Sequence, residues 1–459
     1  MSKISSFSVD YQTNPTLFEL DPVAGKKVTV DFSAPDLSSL GGLTLVREYE
    51  KSSSRIIDRI ESCIKDPRFE PMVIHSQIEM LRQRIYQIIA GFEDADDCDR
   101  LCHDGIMKMC AGRTASDEID LASQPTMTRL ENRLSHKELF DIGECFVDDF
   151  IASYDYEPDS IIIDADDTNA DTYGTQQLTL FNAYYGEYCY MPLLLFEGRS
   201  GKLILPILRP GRGNKSINIA GLLKRLIEKL RKHWKHTAII VRGDSHFCSH
   251  DFMDWATDRQ DNIHFITGIA GNVKLQNISK RWLESAIATF DSTGEDVRIF
   301  HSFLYRAQSW KHQQRVVVKI EVNQLGTNVR FIVTDFKHQR SDFLYSDCYC
   351  DRGRMELMIA ELKNGLKADR MSCNKFSANQ FRLYLHCAAY VIMHSFQEDM
   401  LTGTEIENST ITTMREKLLL NAVSIDEKKT CVRLRFSKKT PMMPEMMTIL
   451  MRLQHLPPS

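Results

Sequence analysis

The chain has 459 residues, of which 43% are hydrophobic and 26% are charged. This is the composition of a globular protein of about two to four domains, not of a disordered chain. The net charge of −5 does not indicate a uniformly basic surface, so any contact with nucleic acid must use local basic patches. No run of about 18 apolar residues occurs and the first residues lack a signal-peptide core, which excludes a membrane-spanning class.

The first 155 residues are predicted to be an arm followed by helices. Residues 1 to about 45 are rich in turn signals, with one short alternating strand at 28–32. From about 43 to 152 the apolar residues recur with a helical period, as in the amphipathic segment 75–89. A helix start at Ser123, close to Arg129, suits a DNA phosphate, although any helical domain contains such a start.

The twelve cysteines follow no disulfide spacing, which suits a reducing cytoplasm. Cys98, Cys102 and His103 invite a zinc interpretation, as do Cys348 and Cys350. Neither group has a second pair at zinc-finger spacing. We therefore favour small buried or half-buried thiols.

The first strand that carries acids is predicted at residues 160–168, where an apolar run ends in Asp164, Asp166 and Asp167. Such a run predicts a buried strand that delivers carboxylates to the edge of a sheet. Asp164 and Asp166 lie on the same face because side chains alternate along a strand. Both are candidate metal ligands, and the plainer interpretation is a simple turn at the strand end.

Three further strands, at 178–186, 190–198 and 203–211, are predicted to follow in antiparallel order. A basic, glycine-rich loop with Arg209, Arg212 and Lys215 comes next. The helix predicted over residues 217–232 carries the most basic stretch of the chain, which is either a DNA-backbone patch or a solvated face.

The second strand that carries an acid spans 237–247 and leads to Asp244, and one more core strand follows at 264–269. The long interval after it contains strand-like runs at 297–300, 315–322 and 329–334. We predict a β-rich insertion over 275–345 that does not extend the central sheet. Four aromatic residues in or near it pack in a core or, alternatively, stack on a flipped base: Trp282, Trp310, Phe336 and Phe343.

The segment around Glu356 carries four polar residues with spacings of three, four and seven: Tyr349, Arg352, Glu356 and Lys363. On a continuous α-helix they share an arc of about 60°. The residues at 355, 358, 359, 362 and 366 supply an apolar face with a helical period. The stripe is either a solvated face with Glu–Lys pairing or a polar surface turned towards a site.

The pattern Tyr-x2-Arg-x3-Glu-x6-Lys resembles the signature helix of a large branch of bacterial insertion-sequence transposases, and all four positions match. The resemblance covers most of the chain and is strongest from about 160 to 370. It implies an α/β fold with an RNase H-like mixed sheet flanked by helices, a β-rich insertion before the last catalytic helix and an α-helical N-terminal DNA-binding region. The implied domains are an N-terminal arm and helical region (1–155), the catalytic core in two parts (156–274 and 346–400), the insertion (275–345) and a C-terminal region (401–459).

The same resemblance implies the site. Asp166, Asp244 and Glu356 would be the three acids that bind Mg²⁺, with Mn²⁺ as a substitute. Asp166 is preferred because the family pattern of Asp, a small or polar residue and Thr falls on residues 166–168, and Asp164 stays the alternative. Tyr349, Arg352 and Lys363 would hold DNA phosphates.

The implied reaction is cutting at terminal inverted repeats, followed by joining of the element to target DNA by two-metal chemistry. The implied partners are double-stranded DNA and a second copy of the chain in the DNA complex, without a membrane, in the bacterial cytoplasm at the nucleoid. Two alternatives stay open. One is a metal-dependent RNase H-like nuclease or resolvase, and the other is a non-catalytic DNA-binding descendant.

Overall fold

A computed structural model describes residues 18–31, 33–211, 218–259 and 261–456 of the chain. Its N-terminal part is mostly helical, as predicted, and begins with a small β-hairpin. The elements are β1 (Phe18–Val23), β2 (Lys26–Val30), β3 (Leu37–Ser38), α1 (Leu43–Ser53), α2 (Ile56–Cys63), α3 (Gln77–Ala90), α4 (Asp97–Leu101), α5 (Gly105–Ala111), α6 (Gln124–Arg133) and α7 (His136–Ala152). The strand predicted at 28–32 is found as β2, and Phe32 lies outside the described residues.

Local sequence signals explain where these helices begin and end. The Ser76 side chain accepts a hydrogen bond from the backbone N–H of Glu79 at the start of α3, which ends at Gly91 with φ at 94°. Ser135 and Glu138 form a reciprocal capping box at the start of α7. The apolar faces of these helices pack into one core with a long C-terminal helix.

The central element is a mixed sheet. The second group of elements is β4 (Ser160–Asp167), β5 (Ala170–Asp171), β6 (Leu180–Asn182), β7 (Glu187–Tyr190), β8 (Leu193–Glu197), β9 (Leu203–Ile207), α8 (Ile219–His233), β10 (Ala238–Gly243), α9 (His250–Arg259), β11 (Ile263–Ile269), α10 (Val273–Thr293), β12 (Val297–Tyr305), β13 (Gln314–Asn323) and β14 (Gly326–Thr334). Within the described residues, eight of these strands form one sheet in the order β12-β13-β14-β11-β10-β4-β8-β9. The strands β4, β8 and β9 form an antiparallel meander, whereas β10 and β11 run parallel to β4. This confirms the predicted α/β fold with an RNase H-like mixed sheet.

One predicted strand does not join this sheet. The segment predicted at 178–186 provides β6, which pairs with β7 in a separate three-stranded sheet of order β5-β7-β6, and these strands lie between β4 and β8 in the sequence. The strands predicted at 190–198 and 203–211 are found as β8 and β9, and the basic helix predicted at 217–232 is found as α8. Periodicity finds strands but does not identify their partners, which explains this error.

The interval over 275–345 differs from the prediction in two respects. It opens with the helix α10, and its three strands extend the central sheet instead of standing apart. The strand β14 pairs antiparallel with β11, from Ile266 opposite Thr334 to Ile269 opposite Phe331. Without β14, the outer edge of β11 would expose a row of unpaired backbone groups, and pairing satisfies them. The valines at 316, 317 and 318 of β13 are fully buried, so both faces of this extension are covered.

The signature segment is helical, but it is not one continuous α-helix. It runs through α11 (Ser341–Phe343), a π-helical turn (Leu344–Tyr349), a 3₁₀ turn (Cys350–Gly353), α12 (Arg354–Ala360) and a second π-helical turn (Glu361–Gly365). Tighter and wider turns change the rotation per residue, so the continuous α-helix on which the predicted common arc depended is not found. Both kinds of turn occur frequently at functional sites and hinges.

The chain ends with a helical and β region. Its elements are α13 (Phe376–Met400), α14 (Ile411–Met414), β15 (Val423–Lys428), β16 (Cys431–Phe436) and α15 (Met443–Leu453). Helix α13 is buried on most of its surface, because it packs between the N-terminal helices and strand β9. It therefore joins the helical region to the sheet in one core.

Candidate active site

Asp166 and Asp244 lie at the ends of two adjacent strands. The parallel pairing of β4 with β10 aligns Asp164 with Arg242 and Ala165 with Gly243, so the next residues along are Asp166 and Asp244. Neighbouring strands are about 4.8 Å apart. Asp244 also accepts a hydrogen bond from the backbone N–H of His246 at 2.8 Å, which fixes its carboxylate at the start of a short turn.

The carboxylates of Asp166 and Asp244 interact electrostatically. The pKa of Asp166 is raised to about 6, chiefly by burial, with the charge of Arg352 lowering it and that of Asp244 raising it. The side chains of Asp166 and Asp244 are 17% and 30% exposed, respectively. Two partly buried carboxylates at this spacing repel unless a cation lies between them or beside them. The pair is thus a favourable place for a cation.

Arg352 provides the cation that this site holds. Its Nη1 atom lies 2.8 Å from Oδ2 of Asp166. Tyr349 lies one turn earlier and is half-buried, with burial the main cause of its raised pKa. A Cβ atom at Gly268 would lie 2.8 Å from the Tyr349 hydroxyl, so glycine in β11 allows this ring to approach the sheet closely.

Glu356 lies on α12, one helical turn after Arg352, and is exposed. Within the described parts of the chain, the cluster of three potential ligand atoms that all lie within 4.8 Å of one another is formed by Cys102, His103 and Asp120, not by the predicted acids. The structure therefore brings Asp166, Asp244 and Arg352 together. Glu356 lies on the same helical segment as Arg352. The carboxylate oxygens of Asp166, Asp244 and Glu356 do not all lie within 4.8 Å of one another.

Lys363 contacts the loop that follows β4. Its Nζ atom donates to the backbone O and to Oδ1 of Asn169, both at 3.0 Å, and lies 3.4 Å from Oγ1 of Thr168. Its nearest carboxylate oxygen, on Asp369, is 4.0 Å away. Lys363 thus ties the signature segment to the loop directly after Asp166.

Asp164, the alternative first acid, is held in a buried ion pair. Its two carboxylate oxygens accept hydrogen bonds of 2.5 and 2.6 Å from Nε and Nη2 of Arg242. Both residues are almost completely buried. The Nη1 atom of Arg242 also donates to the backbone O of Cys348 at 2.5 Å, and so braces the signature segment against the sheet. Both carboxylate oxygens of Asp164 are thus engaged in this buried pair.

Sequence reasoning missed the roles of two arginines. Arg242 interrupts a buried apolar run, and a cation in such a run signals a buried partner, which here is Asp164. Arg209 was assigned to a basic, glycine-rich loop but is fully buried, where it forms an ion pair of 2.6 Å with Asp167. The other two predicted loop cations, Arg212 and Lys215, lie outside the described residues.

The cysteine cluster lies in the helical N-terminal region. His103 Nδ1 is 2.7 Å from Oδ1 of Asp120, and Nζ of Lys108 is 3.5 Å from the same oxygen. The positive charge of Lys108 already offsets the carboxylate of Asp120, and it would repel a cation bound there. Burial raises the pKa of the Cys102 thiol, which opposes the thiolate form that zinc requires. The thiol of Cys98 instead bonds to Gln87.

The aromatic residues of the 275–345 interval are mostly engaged in packing. Trp282 stacks on His301 with ring centroids 4.6 Å apart, and Trp310 is buried against Tyr305. Phe336 stacks on His264, whereas Phe343 is about half exposed. The packing interpretation holds for the first three.

The predicted basic surfaces are partly neutralised. On α8, Lys229 pairs with Glu144 and Asp148, and Arg231 donates to backbone oxygens near Asp261. Helix α6 starts at Ser123 with a proline in its first turn, as predicted. Lys232 of α8 is exposed and has no ion pair among the described residues, so the DNA contacts proposed for α8 and α6 stay predictions.

Comparison with known proteins decides the family. The family model described as "Transposase DDE domain group 1" matches residues 20–458, nearly the whole chain. The chain belongs to this family. It is a DNA transposase, and family membership implies a DNA-cutting polynucleotidyl transferase that uses divalent metals.

Among solved structures, the fold of this transposase is similar to the piggyBac transposase in its synaptic complex with hairpin DNA. The two share 10% sequence identity and a TM-score of 0.45, over 84% of this chain and 83% of that one. A search of curated protein sequences gave no match. Across the described ranges of the transposase, no helix has both the length and the apolar character needed to cross a bilayer.

Proposed function

We propose that Asp166, Asp244 and Glu356 are the three catalytic acids of a bacterial insertion-sequence transposase. This enzyme cuts DNA at the terminal inverted repeats of its element and joins the ends to target DNA. The observation that carries the proposal is the juxtaposition of Asp166 with both Asp244 and Arg352. Two adjacent strands and the signature segment, which are far apart in sequence, supply these three residues.

The residues fit a divalent metal by their chemistry. Asp166 is a largely buried carboxylate with its pKa raised to about 6, next to a second carboxylate, and a cation relieves both burial and repulsion. Carboxylate oxygens are the ligands that Mg²⁺ prefers, and Mn²⁺ accepts the same set. When bound, the metals supply Lewis acidity to the attacking and leaving oxygens of the phosphodiester. Asp166, Asp244 and Glu356 would hold them.

The cations of the signature segment have a different task. Arg352 neutralises Asp166 in the structure, and its planar guanidinium suits a DNA phosphate once the acids have another cation. Lys363 orders the loop after Asp166 through Asn169 and offers a positive charge to a phosphate of the bound end. Tyr349 packs against β11 and positions this segment on the sheet.

The proposed partners follow from the same chemistry. The substrate is double-stranded DNA that carries the inverted repeats of the element, together with a target duplex. Because an element has two ends, we propose a homodimer in the DNA complex. The protein then acts at the nucleoid in the bacterial cytoplasm.

The test is Mg²⁺-dependent strand cleavage on a plasmid that carries the gene with its flanking DNA. We expect wild-type protein to nick at the element ends, and variants at each of the three acids to bind these ends without nicking. Nicking by Asp166→Asn at the wild-type rate would refute the assignment of the first acid.

A further inference from the structure

The small sheet beside the active site presents a cluster of exposed aromatic rings. We call β6, residues 183–186 and β7 the tyrosine hairpin. Tyr184 is 88% and Tyr188 60% exposed, and Phe181 and Tyr185 are partly exposed. Large exposed aromatic patches usually mark binding surfaces rather than folding requirements. This cluster is absent from the signature motif and from the acid strands, so the reaction assigned above leaves it unexplained.

The rings are held in place by the hairpin. Phe181 and Tyr188 are direct cross-strand partners with ring centroids 5.5 Å apart. The rings of Tyr184 and Tyr185 meet edge to face at 4.9 Å. Asn182 accepts the backbone N–H groups of these two residues at 3.0 and 3.4 Å, and its amide donates to the backbone O of Gly211 at 2.8 Å. The surface is therefore preorganised, which lowers the entropic cost of binding.

The tyrosine hairpin is continuous with the proposed active site. Asn169, two residues after Asp167, donates to Oε1 of Glu187 in the hairpin at 2.8 Å and accepts from Lys363 at 3.0 Å. Burial raises the pKa of Tyr185, and the charge of Asp167 contributes to the rise, which places this ring near the acids. The hairpin thus forms one rim of the site.

The charge of the hairpin selects among DNA groups. Residues 170–190 contain two acids, Asp171 and Glu187, and no lysine, arginine or histidine. A surface that follows the phosphate backbone needs cations, because phosphate contacts supply most of the affinity for DNA. Aromatic faces next to carboxylates instead suit the flat faces of unpaired bases, since every base presents a π-surface.

We propose that the tyrosine hairpin is a stacking surface for unpaired bases next to the phosphodiester that is cut. Tyr184 and Tyr188 provide the exposed rings. The inference rests on the proposed function for its location at the active site, and it adds a residue set that positions the DNA strand. Paired DNA presents its bases only edge-on, so the hairpin should distinguish a melted end from an intact one.

The experiment compares two DNA probes with four proteins. One probe is a duplex with a short unpaired end that contains 2-aminopurine, and the other is a fully paired duplex of the same length. The proteins are the full-length wild type, Tyr184→Ser/Tyr188→Ser, Tyr184→Phe/Tyr188→Phe and the control Tyr156→Ser. Tyr156 is equally exposed, but it precedes the opposite end of β4, about 25 Å away along an eight-residue strand. Ca²⁺ replaces Mg²⁺ so that binding is measured apart from cutting.

We expect wild type, the phenylalanine variant and the control to quench the 2-aminopurine fluorescence and to prefer the unpaired end. The serine variant should lose this preference by about fivefold to a hundredfold, the loss typical of one stacked base. It should bind the paired duplex like wild type. Because the substituted rings are exposed, all four proteins should have the same melting temperature.

Three results would overturn the inference. One is a serine variant that retains both quenching and preference. Another is a phenylalanine variant that fails as the serine variant does, since the hydroxyl and not the ring would then matter. Loss of self-association with unchanged preference would also count against stacking, because the hairpin would then contact a second copy. Failure of the proposed function would look different. Glu356→Gln would then still nick DNA, whereas the preference of the wild-type protein for unpaired ends would be unaffected.

Discussion

The Nη1 atom of Arg352 lies 2.8 Å from Oδ2 of Asp166, and this ion pair joins the signature segment to the first acid strand. The pair is about four-fifths shielded from solvent. It places a positive charge where two adjacent carboxylates would otherwise repel each other. The same guanidinium is therefore available to stabilise the site without DNA and to bind a phosphate with it.

The first prediction concerns this ion pair. Replacing Arg352 with Met should raise the affinity for Mn²⁺ and lower the affinity for DNA, because a cation that repels metal and attracts phosphate is lost. Each effect should be on the order of tenfold, the equivalent of about one pKa unit of interaction. Mn²⁺ binding measured by paramagnetic resonance and DNA binding measured by gel shift test the two directions.

The control for that experiment is Arg354→Met, two residues along the same segment and exposed. It should leave Mn²⁺ binding unchanged. If Arg352→Met weakens both ligands together, the arginine acts by holding the fold of the segment and not by its charge.

The second prediction separates chemistry from binding. Glu356→Gln keeps the size and hydrogen bonding of the side chain but removes a metal-binding charge. The strand-cleavage rate should fall more than about a hundredfold, because a metal contributes several kcal/mol to the transition state. Affinity for the inverted repeats should stay nearly intact. The measurement is Mg²⁺-dependent nicking and gel-shift titration on the same DNA.

Asp347→Asn is a matched control for Glu356→Gln, since Asp347 is an exposed acid on the same segment. It should nick DNA like wild type. Equal losses in both variants would show that the segment is simply sensitive to charge, and the assignment of Glu356 would fall.

The third prediction distinguishes the two aspartates of β4. Asp164→Asn leaves the buried guanidinium of Arg242 without its carboxylate, which typically costs about 3–5 kcal/mol of unfolding free energy. Asp166→Asn should change the unfolding free energy far less, because it also removes the repulsion between Asp166 and Asp244. Both variants should fail to cleave DNA. Urea unfolding followed by circular dichroism measures the difference.

A second variant keeps this prediction sharp. In Asp164→Leu/Arg242→Met no buried charge is left unpaired, so stability should recover by a large part of the loss. If Asp164→Asn is as stable as Asp166→Asn, the buried pair with Arg242 is not what holds this strand.

The fourth prediction concerns Lys363. If it binds a phosphate, Lys363→Ala should lower the slope of log affinity against log salt by about one unit. It should also loosen the loop that carries Asn169. Gel-shift titrations at several salt concentrations give the slope.

Asn169→Ala serves as the comparison, because it removes the side-chain contact of Asn169 with Lys363 and keeps the charge. Its salt slope should equal that of wild type. An unchanged slope in Lys363→Ala, with cleavage lost equally in both variants, would make Lys363 a purely structural brace.

The amino-acid sequence by itself determined the two acid strands, the signature residues and the α/β class. The acid strands follow from apolar runs that end in carboxylates. The α/β class and the preference for Asp166 were implied by the family that the spaced motif resembles. The parallel adjacency of β4 and β10 is a finding of the structure. The sequence thus identified Asp166, Asp244 and Arg352 as site residues before their positions were known, and their roles stay proposals.

Only the tertiary structure decided the rest. Alternation places Asp164 and Asp166 on one face of β4, and it is Arg242 of the neighbouring strand that engages Asp164. The first π-helical turn of the signature segment, Leu344–Tyr349, lies where it packs on β11 and Arg242, contacts that no local pattern contains. Strand partners likewise depend on which edge is open, so the extension of the sheet by β12, β13 and β14 was invisible to periodicity. Local patterns determine what an element is, whereas distant residues determine what it touches.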